Sequence, residues 1–99
     1  MNKVLICVLM ILTSEVFAAT ECRKTTNKIY VGDDAALWLV FSGGGSAYIN
    51  ETDKNFKNIY SLVLAAHMAQ KSITVRYSAD NVQCSSESRN DIRGVWLEK

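Results

Sequence analysis

Ninety-nine residues carrying 11 Lys and Arg against 10 Asp and Glu, a net charge of +1, suit one domain and argue against a nucleic-acid binder working through bulk charge. With 48 % apolar residues a core can form, but at this size it is marginal, so a covalent staple or an oligomer is expected.

The first eighteen residues read as a unit of their own. Met1-Asn2-Lys3 gives a positive start, and residues 4–12 are an apolar run too short to span a bilayer. A polar Thr13-Ser14-Glu15 follows, and Val16-Phe17-Ala18 offers a cleavage site. This pattern predicts a signal peptide over residues 1–18, a domain over residues 19–99, and a secreted or periplasmic protein without membrane insertion. Cys7 would leave with the signal. The remaining pair, Cys22 and Cys84, reads as a disulfide in an oxidising compartment. Two cysteines and one distant histidine do not make a ligand set, so no metal and no cofactor is expected.

Residues 27–31 read as a strand and Gly32-Asp33-Asp34 as a turn. Residues 35–42 form a continuous apolar run, predicting a central strand covered on both faces. Gly43-Gly44-Gly45 breaks it and residues 46–49 resume, a hairpin whose connection needs positive φ. A phosphate-cradling loop would need a following helix and a lysine, and neither is present.

Thr52 or Asp53 can cap a helix running to about Gln70. Phe56, Ile59, Tyr60, Val63, Ala66 and His67 keep helical spacing and are expected to face the sheet. Leu62, Leu64, Ala65, Met68 and Ala69 leave the second half apolar nearly all round. One small sheet cannot cover both sides, so Leu62, Ala65, Met68 and Ala69 are expected to meet another subunit. Residues 72–78 alternate cleanly, predicting a half-buried strand with Ile73, Val75 and Tyr77 on one face. Residues 79–90 read as a polar loop holding Cys84. Residues 91–98 read as the last strand, with Gly94 marking a bulge or a close backbone approach. Three strands, a helix and two strands (β-β-β-α-β-β) predict a mainly β chain with one helix, folded as a small five-stranded OB-fold barrel.

No residue pattern argues for catalysis. His67 is the single histidine and lacks a nucleophile elbow, so it reads as a core residue; a hydrolase using it is the rival. Asp33-Asp34 suits a turn, and Asn50-Glu51-Thr52 is a glycosylation sequon only in a host that glycosylates. Binding fits better. The segments 50–55 and 85–90 are rich in hydroxyl, amide and charged groups that hydrogen-bond sugars, and nearby Tyr and Trp could stack on a sugar face.

Cys22, then Lys28-Ile29-Tyr30, a helix, Ile73-Thr74-Val75-Arg76-Tyr77, Cys84, and a last strand from Ile92 to Leu97 follow one another in an order that resembles the B subunits of cholera toxin and heat-labile enterotoxin. The helix–strand stretch is also similar to the B subunits of subtilase cytotoxin and typhoid toxin. The resemblance covers most of residues 19–99. It implies an OB-fold assembled as a homopentameric ring, helices lining the centre, each subunit binding a host-surface glycan or glycoprotein, with a catalytic A subunit as partner. Carried over, the sugar-contacting positions are Asn50, Asp53 and Lys54 before the helix and Ser86, Arg89 and Asn90 after the second cysteine. Ser86 stands where the cholera-type subunits place a sugar-stacking tryptophan, and their N-terminal helix is missing here. The alternative is a monomeric periplasmic or secreted inhibitor of the same fold, binding a protein through loops or a sheet edge.

Overall fold

The computed structural model describes residues 19–33 and 36–98; the expected signal segment at residues 1–18 lies outside them. In chain order it contains β1 (Thr20–Lys24), β2 (Thr26–Gly32), β3 (Ala36–Phe41), β4 (Ser46–Asn50), α1 (Phe56–Met68), β5 (Ile73–Tyr77), β6 (Ser88–Arg89) and β7 (Ile92–Leu97). The chain is mainly β with one helix, as expected. The five-stranded closed barrel is not formed. Instead there are two sheets, one ordered β1-β5-β7 and one ordered β2-β3-β4-β6. The order along the chain is four strands, the helix and three strands. Pairing is antiparallel except between β4 and β6, where Ser46 faces Ser88 and Ala47 faces Arg89.

The core draws on both sheets and the helix. Leu37, Leu39 and Phe41 of β3 alternate inward, joined by Ala47 and Ile49 of β4 and by Ile73, Val75 and Tyr77 of β5. From α1 come Ile59, Val63 and Ala66, spaced four and three apart on one face, with Phe56, Tyr60 and Leu62 packed beside them. Burying each large aliphatic side chain contributes roughly 1.5–3 kcal/mol, so these rows decide which face of each element turns inward.

Three expectations are corrected in detail. The apolar run of β3 is covered on one face only: Trp38 and Val40 turn outward and are half-buried, with the Trp38 ring stacked on Tyr48 at 4.4 Å. The helix starts at Phe56 because Asp53 spends its groups on a turn, its side chain accepting from the Asn55 N–H at 2.8 Å and its carbonyl from the Phe56 N–H. It stops at Met68 because Gln70 takes a left-handed φ of 56°. The Lys71 N–H then bonds the Ala66 carbonyl and the Gln70 N–H the His67 carbonyl, a Schellman closure with glutamine in the usual glycine position. Gly94 does flank a bulge. Arg76 faces Gly94 but Tyr77 faces Ile92, so Arg93 is the extra residue.

Cys22 and Cys84 form the expected disulfide, with Cα atoms 5.5 Å apart across a separation of 62 residues. Cys22 is buried in β1, a strand the sequence reading did not foresee, so the bridge pins the edge of one sheet to the segment preceding β6. A loop of this length corresponds to about 4 kcal/mol in the chain-entropy account. The Cys22→Ser, Cys84→Ser double variant should therefore lose most of the domain's stability. Urea unfolding of oxidised wild type against the variant measures the difference, and matching midpoints would refute the assignment of stability to the bridge.

Candidate ligand-binding surfaces around a buried charge cluster

Residues 79–90 read as a polar loop, with residues 85–90 as candidate sugar contacts. Within it one charged residue is buried: Glu87 is 5 % exposed, and Lys24 of β1 is 8 % exposed. The Lys24 ammonium donates to the carbonyls of Gly44 and Cys84 and lies 3.5 Å from Glu87 Oε1. It also sits 5.2 Å from the centre of the Phe41 ring. The Tyr77 hydroxyl donates to the other carboxylate oxygen, Oε2, at 3.1 Å. Two buried charges thus hold most of their hydrogen-bonding capacity within the fold.

The glycine hairpin makes this possible. All three glycines have positive φ. A Cβ on Gly45 would lie 2.1 Å from Glu87 Oε1, and one on Gly44 would lie 2.5 Å from the Ser85 carbonyl oxygen. The hairpin lies directly on the disulfide segment, and the Ser46 N–H bonds the Glu87 carbonyl at 2.8 Å. Gly45 is thus packed against Glu87 and Gly44 against Ser85, where no side chain would fit.

The sequence-derived sugar contacts fall into two groups. Ser86 and Asn90 are exposed on the disulfide segment. Arg89 is occupied, its guanidinium donating to both oxygens of Asp91 at 2.7 and 3.2 Å, while Asp91 also accepts the Ala79 N–H. Asn50, Asp53 and Lys54 lie at the far end of β4. The β4–β6 pairing ends at Ala47, three residues and about 10 Å of strand before Asn50. There Asp53 and Lys54, with Glu51, Phe56, Lys57 and Asn58, line an open cleft of about 360 Å³ with Phe56 as its apolar element.

A scan against protein-family models and a search of curated proteins both find no match.

His67 is half-buried, its Nδ1 2.7 Å from the Thr26 hydroxyl, a contact that fastens the end of α1 to the start of β2. No group of three His, Cys, Asp or Glu able to hold a metal occurs among the described residues. No helix among them is long and apolar enough to cross a membrane.

On the helix, Met68 is 75 % exposed and Leu64 42 %, with Ala65 and Ala69 also exposed; Leu62 turns partly into the protein's own core. Large apolar side chains also stand exposed on two strands: Tyr30 and Val31 of β2, and Trp96 and Leu97 of β7. Each of these strands is paired along one side only within the described residues. Sequence reasoning missed both edges, although Tyr30 and Trp96 were visible as large aromatics near predicted strand ends.

Two outcomes follow for the charge cluster. Lys24→Met or Glu87→Leu leaves the partner charge buried alone and should cost about 3–5 kcal/mol, whereas the double variant should cost less than the two singles summed. Denaturant melts in a double-mutant cycle read this coupling, and strict additivity would contradict it. The second concerns pH. Burial and the adjacent Glu87 carboxylate push the Tyr77 hydroxyl above the ordinary tyrosine value of 10.0. The folded state then keeps a proton the unfolded state loses, so the Tyr77 contribution to stability is complete below pH 10 and is lost as the pH rises beyond it. The hydrogen bonds from Arg89 act oppositely on Asp91, holding its carboxyl below the ordinary 3.8, so that contribution is lost on acidification below that value. Alkaline melts of Tyr77→Phe should show a shallower decline than wild type.

Proposed function

We propose that this protein is a non-catalytic, exported binding subunit that associates with copies of itself in a ring and recognises carbohydrate. The observation that carries the assembly is the apolar surface left over once the core is complete: the α1 face at Leu64 and Met68, and the two unpaired edges with Tyr30, Val31, Trp96 and Leu97. Exposed edges of six and seven residues invite strand addition. Because β2 and β7 are different surfaces, joining β2 of one copy to β7 of the next is a heterologous contact, and such contacts close into rings when the rotation permits. A ring of five is the form suggested by the resemblance to cholera-type B subunits.

Carbohydrate is supported by the cleft at the end of β4. Carboxylate, ammonium and amide groups there flank an apolar ring, which suits a ligand with hydroxyls on its edges and C–H groups on its faces. Export is supported by the signal-like residues 1–18 and by the disulfide, which persists in oxidising compartments. A host-surface glycan as ligand and a catalytic partner subunit remain parts of the same proposal.

Light scattering on protein recovered from the periplasm of an expression host should give a discrete oligomer. Met68→Lys with Leu64→Lys should shift it toward monomer while leaving far-UV circular dichroism intact. A monomer at micromolar concentration would overturn the ring and favour a monomeric inhibitor. For a verified oligomer, a glycan array should return hits that Lys54→Ala reduces; an array with none would overturn the carbohydrate reading.

A further inference from the structure

The outer face of the β1-β5-β7 sheet carries a second cleft, separate from the one at Asp53 and Lys54. It has a volume of about 300 Å³ and is lined by Arg76, Arg93, Gly94, Val95 and Trp96. Four features shape it. The register places Glu21, Arg76 and Gly94 in one row across the sheet and Arg23, Thr74 and Trp96 in the next. Gly94 contributes no side chain, and a Cβ built there meets nothing within 4 Å, so the row that begins with Glu21 and Arg76 ends in open space. The Trp96 ring is 58 % exposed, while its indole N–H is held by Glu21 at 3.0 Å. Lastly, Arg76 is partly exposed, although its Nε is enclosed and has no hydrogen-bond partner among the described residues.

The charge balance of this face decides what the cleft would take. The acidic groups of this face are already engaged, Glu21 by the Trp96 indole and Glu98 by the Thr74 hydroxyl. Arg23, Arg76 and Arg93 therefore outnumber the carboxylates. An acceptor anion lying over Gly94 would face Arg76 and Arg93, which both line the cleft, and gain a charge-assisted bond from a guanidinium. A flat, partly apolar ring attached to that anion would lie against the exposed indole.

From this cleft we infer a binding site for an acidic saccharide, one whose pyranose ring packs on Trp96 while its carboxylate or sulfate accepts from Arg76. The site is separate from the cleft at Asp53 and Lys54, although it rests on the same carbohydrate-binding reading. It is compatible with edge pairing through β7, because edge hydrogen bonds run in the plane of the sheet whereas Trp96 and Arg76 stand on its outer face.

The test is a titration followed by NMR of the Trp96 indole N–H and the Arg76 Nε–H, using methyl glucuronide, glucose 6-sulfate, methyl glucoside and inorganic sulfate as probes. The two acidic sugars should move both resonances saturably at millimolar concentration. Methyl glucoside should bind about tenfold more weakly or not at all, as should Arg76→Lys with either acidic sugar; a tenfold change corresponds to 1.4 kcal/mol. Comparing the carboxylated and sulfated probes shows which anion the site prefers. Absence of any shift at tens of millimolar, or equal binding of methyl glucoside, would overturn the inference. So would equal binding of inorganic sulfate, which would reveal an anion site indifferent to the sugar. Because the resonances report on this cleft alone, Lys54→Ala should leave the titration unchanged. A positive glycan array without shifts here would overturn this site and spare the one at Lys54.

Discussion

The rest of the fold is arranged around the burial of one ion pair. Lys24 belongs to the edge of one sheet and Glu87 to the segment entering the other, and neither charge could stay inside without every neighbour in place. Phe41 lies beneath the ammonium, two carbonyls take its protons, and Tyr77 caps the carboxylate. The hairpin lacks side chains where Glu87 needs room, and the disulfide fixes the strand carrying Lys24 relative to Cys84, whose carbonyl completes the ammonium's shell. Replacing such a cluster with apolar groups is often tolerated in stability, so its use here is better understood as specification. It selects one way for the glycine hairpin, β1 and the disulfide segment to meet.

Beside its apolar core and one buried ion pair, the domain leaves large apolar side chains outside. The helix covers its own core with Ile59, Val63 and Ala66 and still presents Leu64 and Met68. Among the described residues two long strands end the sheets without a neighbour, whereas the other two edges are short, five residues in β1 and two in β6. Charged residues such as Lys28 and Arg93 punctuate the long edges, a common guard against indiscriminate strand pairing. Apolar anchors between charged guards suit selective association.

Much of this was legible in the residues, and what was not has definite physical reasons. The alternation of β5, the inward face of α1, the glycine-linked hairpin and the cysteine pair all follow local rules. β1 escaped because Thr20-Glu21-Cys22-Arg23-Lys24 reads as a polar stretch, and its inward lysine becomes intelligible only beside a glutamate 63 positions later. β6 escaped because two residues carry no periodicity. The apolar run of β3 suggested two covered faces, yet an aromatic pair can shelter itself, and Trp38 on Tyr48 does so. The candidate sugar contacts came from positional likeness along the chain, which says nothing about an Arg89 already engaged by Asp91 or a strand length separating Asn50 from β6. The cleft over Gly94 needed the cross-strand register to bring Glu21, Arg76 and Trp96 together.

Strand β1 has one further consequence, for the order in which the molecule forms. Its pairing joins Thr20 to Tyr77 and Lys24 to Ile73, so the first strand of the chain waits for nearly the last. Contacts between such distant positions place folding toward the slow end of the range for domains of this size. The hairpin β3–β4 and the helix can form early from neighbours in sequence. The Lys24–Glu87 contact cannot, because it requires both ends of the chain. During that interval β5 lacks its β1 neighbour, and the disulfide that would hold β1 beside it links the same two late-meeting regions. Oxidation and strand docking thus become a single closing event, and the vulnerable period in this protein's life is the time before its two ends meet.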